Sequence, residues 1–596
     1  MFESGKVRTE LTWTRKKKKN GRLPKLPFQT AEIVNETRKR SLDSYTIPQP
    51  TDEHNLLIWG DNRLVMNSLL KDYEGKINLI YIDPPFATGA DFKMPVKVNG
   101  DKLIKEPSGF EIKAYRDTWG QGLASYLQMM YDRLVLMKKL LAENGSIYVH
   151  MDWHVGHYVK TILDEIYSKE NFVTEIIWNY GTASGGRAAG NKPVKSHDTI
   201  LVYAKSYEQH MYNKVYTPYS EKYVRERFVY KDEEGRIYRT RKRGDVITRQ
   251  YLDESPGVPL STVWGDIMQL YGMHLIKRKL EEVGFPTQKP ESLLERIILT
   301  SSNEGELVAD FFCGSGTTLA VAEKLERRWI GCDLSKYAMH VTKKRLLDLS
   351  GCKPFKILNL GMYQKRKLIE NGIKNYFEFI LQLYGATLVS GYAYIHGRIG
   401  RRLVHVGTPD SFVTEREVKR ALEECRSANS SGLDVLGWEF EMGLYELIED
   451  IGTEYGVDVK LKLIPIEILD MREREFYGVK FFDLNYLGLE SKVKDGKVTI
   501  AIERFALANP EYIPDEVKSS LKDFSSYIDY WAVDFDYNGN GDAFHNMSQE
   551  YRTRENKNLK TKIAYEYDRP GEYDVLVKVV DIFGNDTTKR LQVKAG

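Results

Sequence analysis

Short apolar runs alternate with helical patterns of apolar residues over residues 52–350, an arrangement that is typical of an α/β sheet. Two stretches carry helical spacing, Leu64–Tyr73 and Ser125–Glu143, and Gly145 follows the second as a stop signal. The apolar runs predict seven strands, at Asn55–Trp59, Ile77–Ile82, Ser146–His150, Val173–Trp178, Thr199–Tyr203, Leu307–Phe312 and Arg328–Cys332. Seven strands suffice for one doubly wound, mostly parallel sheet, which we predict for this part of the chain.

The pattern changes outside this region and also within it. Residues 1–50 are polar and basic, and residues 206–280 interrupt the alternation with sequence rich in Tyr, Lys and Arg. Later residues return to mixed strands and helices, which predicts a second, smaller α/β unit, and the end of the chain is all-β. The predicted segments are 1–50, 51–205, 206–280, 281–355, 356–520 and 525–596.

Composition is that of a globular protein with several domains, because the 596 residues are 42% hydrophobic and 29% charged. The 4 cysteines include no CxxC pair, which disfavours a disulfide scaffold and a cysteine zinc site. We find no apolar run of transmembrane length and no signal peptide, so we expect a cytoplasmic protein without membrane contact.

Net charge is only +3, but residues 1–50 hold 12 Lys and Arg against 5 Asp and Glu. Their block Arg15–Lys19 fits either phosphates or a solvated tail.

The predicted strand Ile77–Ile82 runs directly into Asp83-Pro84-Pro85-Phe86. Because proline fixes φ and lacks an N–H donor, this segment forms a rigid platform. The Asp83 carboxylate and the Pro84 carbonyl are two acceptors that suit a planar amino group, and the Phe86 ring offers a face for stacking. The alternative is an ordinary strand-ending turn, in which Asp and Pro are common.

A second candidate site follows the predicted strand that begins at Leu307. Its residues are Asp310, Phe311, Phe312, Cys313, Gly314, Ser315, Gly316, Thr317 and Thr318. Glycines between a strand and a helix let a ligand approach the backbone, and Asp333 ends the next strand, where an acid binds ribose in nucleotide-binding folds. Leu319 replaces the third glycine of a dinucleotide fingerprint, and the loop lacks the Gly-Lys-Ser/Thr of a phosphate loop. A ligand with an adenosine and a carboxylate, such as S-adenosylmethionine, fits better.

Three motifs together resemble the site-specific DNA amino-methyltransferases, most of all adenine-modifying subunits of the type III kind. The motifs are Asp83–Phe86, Asp310–Thr318 and Phe285–Pro290. The resemblance spans roughly residues 54–350 and implies a Rossmann-like methyltransferase sheet. The tetrapeptide precedes the glycine loop, which in that family marks the circularly permuted arrangement called beta.

The resemblance also implies a role for each segment and for individual residues. Residues 51–205 resemble the catalytic half, residues 281–355 the cofactor-binding half and residues 206–280 the target-recognition region. The implied catalytic residues are Asp83, Pro84, Pro85 and Phe86. Asp61 would contact the cofactor adenine, and residues 310–318 and Asp333 would hold the rest of the cofactor. Lys289 would meet the cofactor carboxylate, although Thr287–Lys289 also fits a capping turn. The segment His197–Tyr203 resembles the motif that shapes the base pocket.

The implied reaction is methylation of adenine N6 in duplex DNA with S-adenosylmethionine as cofactor and no metal, on a base that is flipped out of the helix. Cytosine N4 is an open alternative, disfavoured because the N4 enzymes mostly carry Ser at the position of Asp83. An RNA or protein amide methyltransferase and a non-catalytic DNA-binding subunit of a defence complex are further alternatives. The expected partners are double-stranded DNA, which would place the protein at the nucleoid, a separate ATP-dependent restriction subunit and a second copy in a homodimer.

Two further regions carry predictions. In the insertion 206–280, the residues predicted to contact DNA phosphates or guanine edges are Arg236, Arg239, Arg241, Lys242 and Arg243. A solvated hairpin is the alternative for that cluster. The end of the chain resembles a PKD-like β-sandwich, on Tyr530–Asp536, Ala564–Tyr573 and Val575–Phe583. Such a module would dock a partner or DNA, and no chemistry is predicted for it.

Overall fold

The computed structural model describes residues 10–14, 16–17, 27–35, 54–85, 94–98, 101–105, 123–181, 193–270, 281–285, 287–360, 373–408, 413–438, 440, 444–464, 481–483, 486–494, 496–507, 523–537, 543–552, 558–582 and 586–595. Its strands are, in chain order, β1 (Gln29–Val34), β2 (Asn55–Trp59), β3 (Ile77–Ile82), β4 (Met94–Val98), β5 (Asp101–Lys105), β6 (Leu141–Met151), β7 (Phe172–Asn179), β8 (His197–Ala204), β9 (Tyr216–Thr217), β10 (Tyr230–Lys231), β11 (Ile237–Arg243), β12 (Val246–Tyr251), β13 (Val258–Pro259), β14 (Val263–Trp264), β15 (Leu307–Asp310), β16 (Arg328–Asp333), β17 (Phe355–Asn359), β18 (Thr387–Leu388), β19 (Gly397–Ile399), β20 (Arg402–Val406), β21 (Gly432–Gly437), β22 (Asp458–Leu463), β23 (Phe482–Asp483), β24 (Tyr486–Lys494), β25 (Lys497–Ala506), β26 (Ile528–Asp534), β27 (Phe544–Asn546), β28 (Ser548–Tyr551), β29 (Lys562–Glu566), β30 (Gly571–Asp581) and β31 (Asp586–Ala595). Its α-helices are α1 (Asn62–Tyr73), α2 (Leu123–Leu140), α3 (Gly156–Tyr167), α4 (Glu221–Arg227), α5 (Glu291–Ser301), α6 (Thr317–Lys324), α7 (Lys336–Leu347), α8 (Ile373–Tyr384), α9 (Glu415–Ser427) and α10 (Leu444–Tyr455).

The largest sheet has eleven strands in the order β14-β7-β8-β6-β3-β15-β16-β2-β17-β1-β27. The seven predicted strands are consecutive within it, as β7-β8-β6-β3-β15-β16-β2. Among these seven, β8 runs antiparallel to both neighbours and the other pairs are parallel. The predicted α/β class is confirmed, but the count of seven strands was too low for this sheet. Short β14 extends one edge, and β17, β1 and β27 extend the other.

Helices cover both faces of this sheet. Successive side chains of a strand point to opposite sides, so neighbouring residues of one strand enter different cores. On one face, Leu56 and Ile58 of β2 pack in a core with α1, α2 and α3. On the other face, Leu57 of β2 and Leu79 of β3 pack in a second core with α5, α6 and α7. The sheet is therefore doubly wound, as predicted.

Helix α2 ends at Leu140, before the predicted end at Glu143, and β6 begins at the next residue. Gly145 consequently lies inside β6 and does not stop a helix. A Cβ at this position would stand 2.8 Å from the Ile77 carbonyl oxygen and 2.9 Å from that of Asn78. Glycine is required here because the two backbones approach closely.

The segment predicted as a basic tail contributes a strand to the large sheet. Strand β1 pairs antiparallel with β17 and parallel with β27, which comes from the C-terminal part of the chain. Its Glu32 is buried. Earlier in the segment, the Lys16 ammonium pairs with Glu165 at 2.6 Å and lies 4.6 Å from the centre of the Trp13 ring. The Lys16 ammonium is therefore already paired within the protein, so it is poorly placed to bind DNA phosphates. Lys17 is exposed, and its backbone exchanges hydrogen bonds with the Gln128 side chain, at 2.9 Å and 3.1 Å. The other members of the block Arg15–Lys19 lie outside the described residues.

The insertion and the segment after the large sheet form smaller sheets. In the insertion, β10, β11 and β12 make an antiparallel sheet, and β13 pairs with β9. Strands β18 to β23 make a six-stranded sheet in sequence order, in which β20, β21 and β22 are parallel. Helices α9 and α10 pack against this sheet. A separate hairpin, β4–β5, follows the segment Asp83–Phe86 in the chain.

Two antiparallel sheets at the end of the chain pack over one core. One has the order β24-β25-β29 and the other β28-β26-β30-β31. Strands β24 and β25 lie before residue 520, in the segment assigned by sequence to the preceding α/β unit. We refer to the two sheets together as the C-terminal sandwich, and its kinship with PKD domains stays a prediction. In the described part of the chain, every helix is too short or too polar to span a lipid bilayer.

Candidate active site

Two motifs that are far apart in the sequence meet at one edge of the large sheet. Strands β3 and β15 are parallel neighbours, with Leu79 opposite Val308 and Ile80 opposite Ala309. Asp83 directly follows β3, and Asp310 is the last residue of β15. Because the carboxyl ends of parallel strands share an edge, the tetrapeptide and the glycine loop lie side by side.

Four carboxylates line this edge, one for each of four consecutive parallel strands. Asp83 follows β3, Asp310 ends β15, Asp333 ends β16 and Asp61 stands two residues after β2. Their order along the edge is the strand order β3-β15-β16-β2. A row of acids next to a glycine loop suits a cationic ligand that carries hydroxyl and amino groups, and it repels phosphates.

Asp83 forms an ion pair with Lys289 through Oδ2. The segment that carries Lys289 is fixed by Gln288, whose side chain accepts from the Val283 N–H at 2.9 Å and donates to the Glu281 carbonyl at 2.8 Å. Lys289 was predicted to meet a cofactor carboxylate, which stays a prediction; in the structure its ammonium pairs with Asp83. Pro84 is buried and Pro85 half-buried, while Phe86 lies outside the described residues.

The glycine loop approaches its surroundings without room for side chains at two positions. Gly314 and Gly316 have φ angles of +49° and +69°, in the left-handed region that favours glycine. A Cβ on Gly316 would stand 2.6 Å from Thr342 Cγ2 of α7. The Thr342 hydroxyl also donates to the Gly314 carbonyl at 3.0 Å. The loop backbone is therefore left open towards the ligand and closely held from behind.

The other predicted loop residues divide into side chains that face the core and side chains that fix the loop. Phe311 and Cys313 are buried in the two cores, so they can serve a ligand only through their backbones, and Phe312 packs against the first core. Burial also raises the pKa of the Cys313 thiol well above its usual range. Thr318 donates to Asp310 at 2.6 Å, and Thr317 accepts from Arg345 at 2.8 Å.

Asp333 and Asp61 use their carboxylates to order the loops that follow them. Asp333 accepts from the Gly314 N–H at 2.8 Å and from the Ser335 N–H at 2.9 Å. Asp61 caps α1 by accepting from the Arg63 N–H at 2.7 Å, and Arg133 lies 3.4 Å from the same carboxylate. Each carboxylate has about four lone-pair sites, so these bonds leave capacity for ribose hydroxyls and an amino group.

Asp310 is the buried member of the row. Burial raises the pKa of its carboxyl to about 7, and the nearby carboxylates of Asp83 and Asp333 act in the same direction. Hydrogen bonds from Thr318 and the Phe312 N–H, the latter at 3.0 Å, oppose the rise. A positive ligand charge beside Asp310 would favour its ionised form, so the donor set fits the S-adenosylmethionine cation predicted from the sequence.

A polar network beside Asp83 connects Asp198, in the segment predicted to shape the base pocket, with residues that the sequence analysis missed. Buried His150, on β6, contacts the Tyr81 hydroxyl at 2.9 Å and Asp198 at 3.4 Å. Lys195 pairs with Asp198 at 2.5 Å and lies 3.7 Å from Asp152. Burial opposes ionisation of Asp198, but the contacts with His150 and Lys195 hold its pKa well below the usual range.

The run after this strand gave a signal that the sequence analysis did not use. Strand β6 ends at Met151, and Asp152, Trp153 and His154 follow it at the same edge of the sheet as Asp83. Trp153 is 55% exposed and stacks on His154, with ring centres 3.8 Å apart. An acid, a tryptophan and a histidine in succession directly after an apolar strand form the pattern that could have located this side of the candidate site.

The basic residues of the insertion have different environments. Arg236 pairs with Asp253 at 2.8 Å and with Glu254 at 2.5 Å. Arg239 bonds Gln250 at 2.9 Å, contacts the Tyr223 hydroxyl and lies 5.1 Å from the centre of the Phe228 ring. These two arginines are therefore engaged within the insertion, so their assignment to DNA is weakened.

Arg241 and Lys242 are exposed near the turn of the β11–β12 hairpin. The side chain of Arg243 lies outside the described residues, although its backbone pairs with Val246. Val246 and Ile247 on the returning strand are 62% and 65% exposed. The tip of the hairpin thus combines basic and apolar side chains.

Over the described residues as a whole, no group of three or more His, Cys, Asp or Glu is arranged to hold a metal ion.

Comparison with known proteins places this site in a family. Residues 77–344 match the family N6_N4_Mtase, described as DNA methylase. Type II methyltransferase M.EcaI of Enterobacter cloacae is 28% identical over 337 residues, which cover 49% of this chain and 69% of that protein. The StyLTI Mod subunit, of a type III restriction-modification enzyme from Salmonella typhimurium, is 27% identical over 331 residues, covering 46% of this chain and 50% of that subunit.

Among solved structures, the M1.HpyAVI–SAM complex is 19% identical and aligns over 49% of this chain and 100% of its own, with a TM-score of 0.29. The matched part of the chain spans half the length of the type III Mod subunits and somewhat more of M.EcaI. Residues 77–344 are thus similar to the DNA methylase family over a stretch that includes Asp83 and the glycine loop, and this similarity supports the predicted cofactor, S-adenosylmethionine.

Proposed function

We propose that this protein transfers a methyl group from S-adenosylmethionine to the N6 amino group of adenine in duplex DNA. We further propose that it serves as the modification enzyme of a restriction-modification system. The observation that carries the proposal is the adjacency of Asp83, after β3, and the Asp310–Thr318 loop, after the neighbouring strand β15. This adjacency puts an acceptor for an amino group next to a site that suits a cationic adenosine ligand.

The residues of the chain would act by binding and orientation. S-adenosylmethionine, when bound, supplies a methyl group that is already activated by the cationic sulfur. Asp61, Asp333 and the glycine loop would hold the cofactor, and the row of carboxylates would favour its positive charge. Asp83 and the Pro84 carbonyl would accept the two amino hydrogens of the flipped base, which directs the nitrogen lone pair towards the methyl group.

Lys289 would orient the proposed catalytic acid. Its ion pair turns Oδ2 of Asp83 towards the 285–290 segment. Because a carboxylate has two oxygens, the pair leaves acceptor capacity for the amino group of the base. Trp153 and His154 stand at the same edge of the sheet as Asp83, where they could contact the strand from which the base is removed.

Adenine N6 is proposed over cytosine N4 because Asp, and not Ser, occupies position 83. The matched family covers both kinds of amino-methyltransferase by its name, so the product base has to be measured.

The relatives named as Mod subunits support the restriction-modification role, in which a separate ATP-dependent restriction subunit would cut unmodified DNA. A solitary methylase is the competing arrangement.

The purified full chain should be incubated with duplex DNA and isotope-labelled S-adenosylmethionine, and the methylated nucleosides identified by mass spectrometry. We expect N6-methyladenine. Asp83→Ala should lower methyl transfer by at least about 100-fold, the scale of losing a positioned group in the reaction, while the Kd for the cofactor stays within a few-fold. Asp450→Ala, at an exposed position of α10, is the matched control. N4-methylcytosine as product would replace adenine as the target, and unchanged transfer by Asp83→Ala would remove the catalytic assignment.

A further inference from the structure

Helix α7 connects the cofactor loop with the C-terminal sandwich through two opposite faces. His340, Lys343, Lys344 and Leu347 follow helical spacing on one face, and Thr342 and Arg345 lie on the other, since successive residues turn by about 100°. The helix starts at Lys336, three residues after Asp333, and is capped by Ser335, which accepts from the Ala338 N–H. It therefore begins at the cofactor site itself.

The face with Thr342 and Arg345 holds the cofactor loop from behind. The Thr342 hydroxyl donates to the Gly314 carbonyl at 3.0 Å, and its methyl group occupies the space beside Gly316. Buried Arg345 donates to the Thr317 hydroxyl at 2.8 Å and pairs with Glu291 of α5 at 2.8 Å. The position of α7 thus decides where the loop backbone stands.

The opposite face of α7 is held by the C-terminal sandwich. Asp529 of β26 accepts from Lys344 at 2.7 Å and contacts His340. Lys343 pairs with Glu32 of β1 and lies 2.9 Å from the Tyr530 hydroxyl, and Tyr551 donates to the Leu347 carbonyl at 2.7 Å. These contacts extend over two turns of the helix.

The ionic part of this contact is buried at Lys343 and Glu32 and half-buried at Asp529 and Lys344, so it depends closely on geometry. Burial of Asp529 opposes its ionisation, but Lys344 and His340 outweigh that effect and hold its pKa well below the usual range. Leaving one partner of a buried pair without its counter-charge is strongly unfavourable. The sandwich therefore fixes α7 at one place, and a packed helix moves as a unit.

We propose that the C-terminal sandwich is a positioning element for methyl transfer, which sets the affinity for S-adenosylmethionine by holding α7 against the cofactor loop. The proposal rests on the proposed function for the identity of the ligand. It assigns Asp529, His340 and Lys344 as positioning residues that touch neither cofactor nor DNA. It also gives the sandwich a part in the reaction, although the sandwich contributes no side chain to the four-carboxylate edge.

The test compares Asp529→Asn with wild type in the full chain. Asp529→Asn keeps the shape of the side chain and removes its charge, so α7 should lose its fixed position. We expect the Kd and KM for S-adenosylmethionine to rise about tenfold, a typical coupling between two sites, while kcat at saturating cofactor and KM for DNA stay within about twofold. Amide hydrogen exchange over residues 313–318 should accelerate in the absence of cofactor.

A milder variant and a control complete the design. Lys344→Gln removes the more exposed partner of Asp529, so it should shift the same quantities in the same direction even if Asp529→Asn folds poorly. Asp574→Asn breaks the surface pair with Arg590 in the same sandwich and should change neither cofactor affinity nor loop exchange. Unchanged cofactor affinity and unchanged loop exchange in both interface variants would overturn the proposal. A wild-type chain that fails to bind S-adenosylmethionine would instead overturn the proposed function, and loop exchange would still decide the coupling.

Discussion

Asp310 is the residue whose ionisation links the cofactor site to the stability of the fold. Burial raises the pKa of its carboxyl from 3.8 to about 7. The folded protein therefore binds this proton more tightly than the unfolded chain. The resulting stabilisation is complete below about pH 4 and is lost as the pH rises through about 7, by up to about 1.4 kcal/mol for each pH unit in that window.

Asp310→Asn mimics the protonated acid, so we expect it to remove this loss. Without cofactor, the free energy of unfolding of the variant should gain on that of the wild type between about pH 4 and pH 7, and the difference should level off above that range. Urea unfolding at half-unit pH steps measures both curves. Asp450→Asn, on the exposed side of α10, serves as control and should run parallel to the wild type. Parallel curves for Asp310→Asn would show that Asp310 titrates normally.

At the same scale, the sequence predicts which acids stand at the strand ends but not which side chains they meet. Asp83, Asp310 and Asp333 could be placed because each follows an apolar run, and the carboxyl ends of parallel strands share an edge. The pairing of Lys289 with Asp83 joins residues 206 positions apart and depends on how the 285–290 segment packs. Local pattern carries no information about such a pairing.

The β11–β12 hairpin is the element best placed to contact DNA. Its exposed tip carries Arg241 and Lys242, with Val246 and Ile247 opposite, whereas Arg236 and Arg239 are used inside the insertion. We expect the double variant Arg241→Ala, Lys242→Ala to weaken DNA binding and to reduce the slope of log K against log salt by about 2, because each of the two basic side chains would neutralise one phosphate.

Fluorescence anisotropy with labelled duplex DNA at several salt concentrations measures that slope. Lys492→Ala with Lys494→Ala removes the same charge from an exposed strand of the C-terminal sandwich and controls for the overall field. An equal decrease of the slope in both double variants would mean that the hairpin does not bind DNA specifically. Cofactor affinity should be unaffected in either, since neither pair of residues lies near the glycine loop.

Among the elements, the interior strands could be predicted and the edges could not. All seven predicted strands are present. Six of them are buried over most of their length and read as apolar runs, and β7 keeps Ile176 and Trp178 buried between partly exposed residues. Strand β1 is polar at Gln29, Thr30 and Glu32, and β27 has three residues, so neither has a strong apolar pattern of its own. Their pairing depends on contact between residues 32 and 544, and local sequence pattern does not extend over such a separation.

At the scale of the whole molecule, three distant parts of the chain meet at one buried charge. Glu32 of β1 pairs with Lys343 of α7 and, at 3.3 Å, with Lys578 of β30, and Asn546 of β27 donates to it at 3.3 Å. Although burial opposes ionisation, the two lysines lower the pKa of Glu32. Strand β1, helix α7 of the large α/β domain and the C-terminal sandwich are therefore joined through one carboxylate.

We expect Glu32→Leu to cost about 3–5 kcal/mol of unfolding free energy, because it leaves buried Lys343 without its counter-charge and removes one of the two acidic partners of half-buried Lys578. Replacing the whole cluster, with Lys343→Met and Lys578→Met added, should recover most of that loss, since an apolar cluster of similar volume needs no counter-charge. Urea unfolding of the wild type, the single and the triple variant measures both steps. A triple variant no more stable than Glu32→Leu would show that the cost is one of packing. The single variant should also loosen α7, because Lys343 would no longer be held on the side of the helix opposite Thr342 and Arg345.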